Sequence, residues 1–127
     1  PSNEFTPENE PAFRFHMDGP RLVMAARKHL PAMTQKLMHD AGATPDALHV
    51  IPHQAAPRAL ALVRRLLGFQ AERFHNRVAD TGNLVAASIP VVLHQCLAEG
   101  LLPAGGSVMF LGTSAGYSQA GLIFRMG

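Results

Sequence analysis

The chain has 127 residues and a mass of 13.6 kDa, which is enough for one domain with its own hydrophobic core. With 47% hydrophobic and 16% charged residues, its composition excludes an intrinsically disordered chain. The net charge of only +2 excludes a domain-wide field for nucleic acid, so any basic partner surface must be local.

The N-terminal third predicts a tail, a short strand and a helical region. Residues 1–11 are rich in Pro, Asn and Glu without periodicity, so we expect a tail or linker there and a domain over 12–127. Alternating apolar residues then favour a strand, with Phe13, Phe15 and Met17 on its apolar face. Asp18 is suited to cap a helix that ends at Gly42. Pro31 interrupts the helical spacing, so two helices and one kinked helix fit equally.

The rest of the chain predicts strands that alternate with helices. The expected strands cover 47–52, 74–78, 107–111 and 118–124. One helix is expected over 55–67, and another from Gly82-Asn83 through Leu97 with Asn83 as its cap. This order predicts a layered α/β domain, mostly parallel, with an antiparallel pair at its end. The uncharged run 100–124 is rich in Gly, so we interpret it as strands and turns rather than a membrane helix.

Two polar residues lie at positions where chemistry is often placed. His53 directly follows the buried strand, at the carboxyl end where open α/β sheets bind ligands. A lone histidine there is still more often structural than functional. Asn83 is sufficiently explained by helix capping. Neither residue decides the function by itself.

The segment 112–116 reads Gly-Thr-Ser-Ala-Gly and matches the G-x-S-x-G motif of serine hydrolases. That motif requires a strand, a turn and a helix, with an acid and a histidine later in the chain. Ser114 is followed by an expected strand and by no Asp, Glu or His. We interpret the match as accidental, although the small residues allow main-chain N–H groups to approach an oxyanion.

Other classes of site have little support. The glycines of the C-terminal region match neither a dinucleotide fingerprint nor a phosphate loop. The histidines at 16, 29, 39, 49, 75 and 94 show no metal-ligand spacing, so we expect no metal. The single cysteine, Cys96, excludes an internal disulfide, favours a reducing cytoplasm and is expected to be an inert packed thiol. Arg58 and Arg65 form a basic helical stripe with Arg64, either a solvated face or a dock for an acidic partner.

Several segments together resemble the C-terminal half of the β-ketoacyl-acyl-carrier-protein synthase III family. They are Ile51-Pro52-His53-Gln54-Ala55, Gly82-Asn83 with Ala86-Ala87-Ser88-Ile89-Pro90, the closing glycine-containing strand pair, and Phe15-His16-Met17-Asp18-Gly19. Their order and spacing agree with the family, including the thirty positions that separate His53 from Asn83. The similarity extends over nearly all residues after about position 12.

The resemblance implies a thiolase-like half, with a five-stranded, mostly parallel mixed sheet flanked by helices. It implies an acyltransferase that condenses an acyl thioester with a malonyl-type thioester through decarboxylation, on a cysteine in an N-terminal half. No cofactor is implied beyond coenzyme A and acyl-carrier-protein thioesters as substrates. The expected partners are the N-terminal half, the carrier protein and a second copy of the full enzyme, with no nucleic acid, no membrane and a cytoplasmic location.

By position, the resemblance assigns roles to five residues. His53 and Asn83 would bind the malonyl thioester carbonyl, the Ala115 N–H would complete an oxyanion hole, and Arg58 and Arg65 would face the carrier protein. The chain departs from the family pattern near these residues: Ala56 and Pro57 follow Ala55 where the family usually shows Asn, Leu84 and Val85 stand where it usually shows small hydroxyl residues, and Thr113 stands where it usually shows Phe. These departures favour a divergent member with another acyl donor or acceptor. The alternative is a non-catalytic scaffold half, and the chain alone is expected to be inactive.

Overall fold

The computed structural model describes residues 4–14, 17–114 and 116–127. Within these residues the helices are α1 (Glu10–Phe13), α2 (Gly19–Ala41), α3 (Pro57–Leu67), α4 (Val78–Thr81) and α5 (Ser88–Ala98). The strands are β1 (Leu48–Pro52), β2 (Ser107–Ser114) and β3 (Ser118–Arg125). Single 3₁₀ turns occur at Pro7–Asn9, Pro45–Ala47, Ala71–Arg73 and Val85–Ala87.

The three strands form one mixed sheet in the order β1-β2-β3. β1 runs parallel to β2, with Leu48 opposite Ser107 and Pro52 opposite Leu111. β2 and β3 are antiparallel along their full lengths. The connection from β1 to β2 contains α3, α4 and α5, because neighbouring parallel strands need a long crossover. The expected α/β class and its closing antiparallel pair are therefore confirmed.

The five-stranded, mostly parallel sheet expected from the resemblance is wrong for the described residues, which form three strands joined by one parallel and one antiparallel pairing. The segment expected as a strand at 74–78 is reduced to one isolated parallel bridge between Val50 and Phe74. A 3₁₀ turn ends immediately before Phe74 and α4 begins at Val78, so the segment between them is too short for a ladder. Its contact with β1 is therefore a single crossing point rather than a strand pair.

The strand expected around Phe13 to Met17 is also wrong where it can be compared. Phe13 ends α1, and Met17 has no strand partner. Phe15 and His16 lie outside the described residues. Pro11 sits in the first turn of α1, where its missing N–H costs nothing, so this local sequence also suits a helix start.

α2 is one continuous helix of 23 residues rather than two. Asp18 caps it, since its carboxylate accepts the Arg21 N–H at 3.0 Å. The helix continues through Pro31 and ends at Gly42, whose φ of 60° places it in the left-handed region that favours glycine. Both expected ends of this helical region are confirmed, and the open choice at Pro31 is decided in favour of one helix.

The core lies on both faces of the sheet. On one face α2 and α3 cover a cluster that contains Leu30, Leu48, Val50, Leu60, Met109 and Leu111. On the other face α5 covers Ile51, Val92, Cys96, Leu102 and Val108. Residues of β1 and β2 alternate between the two clusters, as the two-residue period of a strand requires. This arrangement leaves the ends of β1 and β2 open beside α2 and α3.

The face covered by α5 is less complete than the other. Several large apolar residues near it are only partly buried, namely Ile89, Leu93, Phe110, Phe124 and Met126. Leu97, Leu101 and Leu122 are exposed on α5, the following loop and β3. An apolar surface of this kind is typical of an interaction face.

The uncharged run 100–124 lies mainly in β2 and β3, as expected. Among the described residues there is no helix of sufficient length and apolarity to cross a membrane.

Candidate active site

A cavity of about 800 Å³ lies beside α2 and α3, at the open ends of β1 and β2. Its walls are mainly apolar, with Leu22, Val23, Leu60 and Val63 among the residues that form them. A smaller group of polar side chains also lines it: Arg27, His53, Arg58, Asn83, Thr113, Ser114 and Tyr117. An apolar cavity with a few convergent polar groups is the usual form of a small-molecule site.

His53 lies where the sequence predicts, directly after β1. Its backbone N–H donates to the carbonyl of Leu111 at 2.8 Å, so the parallel pairing with β2 extends to this residue. Burial lowers the pKa of the ring, and the neighbouring Val85 backbone partly opposes that decrease. Because the net change is downward, the ring is neutral near pH 7 and carries a single N–H donor.

Asn83 lines the same cavity as His53, although the two lie on different segments. Its Oδ1 accepts the backbone N–H of Val85 at 2.9 Å. The carboxamide oxygen is thereby used, and the two Nδ2 protons remain available to a ligand. Asn83 thus initiates a 3₁₀ turn, whereas α5 begins only at Ser88, so the expected helix from Gly82-Asn83 is wrong in its start.

Val85 lies beside both candidate groups. Its N–H donates to Asn83 Oδ1, and its backbone is near enough to the His53 ring to affect the pKa of that ring. Its φ of 51° is in the left-handed region, where a β-branched residue is strained. One strained peptide segment therefore binds Asn83 and lies beside His53.

Gln54 is a residue whose importance the sequence analysis missed. Its side chain is fully buried and satisfied on both amide atoms. Nε2 donates to the carbonyls of Pro52 at 2.8 Å and His75 at 3.1 Å, and Oε1 accepts the Arg77 N–H at 2.7 Å. The available signal was an amide two residues after a strand predicted to be buried on both faces, where a buried polar group must find partners.

The end of β2 forms another wall of the site. Thr113 and Ser114 line the cavity at the end of β2, and Ala115 lies outside the described residues. Ser114 pairs with Ser118 of β3, so a strand follows the G-x-S-x-G segment. The strand-turn-helix geometry of a nucleophile elbow is therefore absent from the described residues here, which agrees with the interpretation of the motif as accidental.

The basic residues of α3 separate into different roles. Arg58 and Arg65 are exposed, and only Arg58 lines the cavity. Arg64 instead donates to the Phe69 carbonyl at 3.0 Å and so closes the end of the helix. Arg27 of α2, which the sequence analysis did not select, lines the cavity together with Arg58. The two helices thus place two cations beside the same opening.

Two of the histidines that looked scattered form a buried pair. Nδ1 of His49 lies 3.1 Å from Nε2 of His75, and the rings are nearly parallel. Across the part of the chain that the structure describes, no three His, Cys, Asp or Glu residues are grouped to hold a metal ion. Cys96 is buried, and burial raises its pKa, so its thiol is not activated.

The chain is similar in sequence to proteins of one known family. The family described as 3-oxoacyl-[acyl-carrier-protein (ACP)] synthase III C terminal matches residues 38–126. A β-ketoacyl-[acyl-carrier-protein] synthase III of Pseudomonas aeruginosa (strain PAO1) is 34% identical over 112 residues, 87% of this chain and 34% of that protein. The chain therefore spans about a third of the length of the curated relatives it matches.

Solved structures agree with the sequence comparison. The crystal structure of 3-oxoacyl-(acyl carrier protein) synthase III from Pseudomonas aeruginosa PAO1 has a TM-score of 0.81 at 30% identity, over 97% of this chain and 39% of that chain. The β-ketoacyl-[acyl carrier protein] synthase III of Thermus thermophilus has a TM-score of 0.82 at 30% identity, over 90% and 36% respectively. The first similarity covers 97% of the chain and so includes most of α2, which begins before the family match.

Proposed function

The chain belongs to the 3-oxoacyl-[acyl-carrier-protein] synthase III family as its C-terminal domain, and we propose that it supplies the His53 and Asn83 part of a Claisen-condensing active site. The observation that carries the proposal is that both side chains line one cavity, with the strained Val85 segment bound to Asn83 and adjacent to His53. The substrates under this proposal are an acyl thioester and a malonyl-type thioester.

The chemistry follows from what the two groups can donate. Loss of carbon dioxide from a malonyl thioester leaves an enolate, whose oxygen carries more charge than the ground-state carbonyl. N–H donors that are fixed in place before the reaction stabilise that charge at no reorganisation cost. The free Nδ2 protons of Asn83 meet this requirement, and His53 meets it with its proton on Nε2.

The remainder of the site would come from an N-terminal half. We propose that this half supplies a cysteine that holds the acyl group, since Cys96 is buried outside the cavity. The incompletely covered face of α5, with exposed Leu97 and Leu101, supports a packed partner domain. Arg58 and Arg65 would contact the acidic carrier protein, and the full enzyme would be a homodimer.

The test uses the full-length protein with three single variants, His53→Ala, Asn83→Ala and the control His39→Ala, an exposed histidine of α2 outside the cavity. Release of carbon dioxide from malonyl thioester is measured. We expect each site variant to reduce kcat at least about 100-fold, the usual loss for one oxyanion donor. His39→Ala is expected to retain the rate. Full turnover by either site variant would contradict the proposal.

A second candidate is a non-catalytic scaffold half. Ala56, Leu84 and Val85 favour it, because they replace the polar residues that the family pattern shows beside His53 and Asn83. Incubation of the full-length protein with acyl-coenzyme A and mass spectrometry separates the two candidates. An acylated cysteine in the N-terminal half supports the enzyme, whereas an unmodified protein supports the scaffold.

A further inference from the structure

Gln54 lies between the segment that carries His53 and the segment that leads to Asn83. Its side chain is completely buried, and its three hydrogen bonds use both sides of the amide. One bond returns to Pro52 of β1, and the other two reach the backbones of His75 and Arg77. The amide thus fixes residues 75–77 against the end of β1.

The path from Arg77 to Asn83 is short and internally bonded. The Arg77 carbonyl accepts from the Thr81 hydroxyl at 3.1 Å and from the Thr81 N–H at 2.9 Å. The Gly82 N–H then donates to the Val78 carbonyl at 3.0 Å. Because α4 is this compact, a shift of residues 75–77 is carried to Asn83 rather than absorbed on the way.

We propose that Gln54 is a positioning residue that sets the separation between His53 and Asn83, an inference that rests on the proposed function. Gln54 does not line the cavity, so it acts through Asn83 and not on the substrate. A misplacement of about 1 Å in a catalytic group can cost about 100-fold in rate. A merely structural role would lower stability without a specific dependence on Asn83.

A double-mutant cycle on the full-length protein distinguishes the two roles. The variants are Gln54→Met, which keeps the volume and removes all three bonds, Asn83→Ala, and the pair combined. Gln95→Met is the matched control, because the Gln95 Oε1 is buried without a partner and its loss removes no hydrogen bond of that oxygen. The measured quantities are kcat and KM for malonyl thioester decarboxylation and the thermal midpoint.

We expect Gln54→Met to lower kcat about 100-fold with KM changed less than about threefold. In the Asn83→Ala background the same substitution should lower kcat less than about threefold, since the group it positions is already gone. Equal fold losses in both backgrounds would overturn the inference, as would full kcat in the folded Gln54→Met protein. Gln95→Met is expected to retain kcat in both backgrounds.

If Asn83→Ala alone retains full kcat, the proposed function fails and the positioning role is judged separately. A crystal structure of the full-length Gln54→Met protein then decides it. Displacement of residues 75–83 relative to His53 supports the role of Gln54 in placing this segment. An unchanged position of Asn83 relative to His53 overturns it, whatever reaction the protein catalyses.

Discussion

The buried pair of His49 and His75 predicts that the protein loses stability in mild acid. Nδ1 of His49 and Nε2 of His75 are 3.1 Å apart, so one nitrogen must donate a proton and the other accept it. Burial lowers the pKa of both rings, and Arg73 beside His49 and Arg77 beside His75 lower them further. Glu99 opposes this effect at His75 but does not reverse it, and the pKa of His75 falls to about 4.

The size of the effect follows from that pKa. In the unfolded chain His75 titrates near 6.5, so between pH 6.5 and about 4 the unfolded chain binds a proton that the folded chain does not. The contribution of His75 to the unfolding free energy is fully present above about pH 6.5. It decreases as the pH falls and shows no further loss below about pH 4. The difference corresponds to about 3 kcal/mol of unfolding free energy, and His49 adds in the same direction.

Urea unfolding between pH 7.5 and 4.5 measures this loss. His75→Gln keeps an amide that can bond to His49 and does not titrate, so its unfolding free energy should depend less on pH, by up to about 3 kcal/mol across the range. His94→Gln removes an exposed histidine and should leave the wild-type pH dependence intact. The titration of carboxyl groups contributes equally to the pH dependence of the wild type and of both variants. An unchanged pH dependence in His75→Gln would show that the pair does not hold its protons as argued.

Three further substitutions test local features, each by the urea midpoint. Val85→Gly should raise the unfolding free energy by about 1 kcal/mol, because glycine adopts the φ of 51° without strain. A lower unfolding free energy in this variant would show that the Val85 backbone is not strained. Gly106→Ala should cost about 1–3 kcal/mol, since its Cβ would lie 2.9 Å from the Pro103 carbonyl oxygen, whereas Gly19→Ala meets no atom and should cost nothing. Ser88→Ala should raise the unfolding free energy by about 1 kcal/mol, because the buried hydroxyl lacks a hydrogen-bond partner. A lower urea midpoint in this variant would show that the hydroxyl has such a partner.

The sequence was most informative where a local signal and burial agreed. The cap at Asp18 and the left-handed Gly42 define α2 because both act within a single turn of helix. β1 could be located because four of its five residues are apolar and, together with His49, form a run short enough to be a strand buried on both faces. β2 and β3 were located for a related reason, since a small-residue turn separates two apolar runs of similar length.

The sequence failed where the outcome depends on which segments meet. Phe74 has the composition of a strand, but it makes one bridge to Val50 because helical turns flank it closely. His49 and His75 meet because the segment around Phe74 crosses β1, and the spacing of histidines along the sequence does not reveal that crossing. Gln54 and Arg27 were missed for the same reason, as their partners and cavity are distant in the sequence.

The departures from the family pattern beside Asn83 have a physical meaning in this structure. The hydrogen bond between Val85 and Asn83 is made by the Val85 backbone N–H, which any residue other than proline can supply. The side chains of Leu84 and Val85 are themselves exposed. A substitution of either side chain therefore alters the surface around Asn83 and leaves in place the backbone hydrogen bond that orients the Asn83 amide.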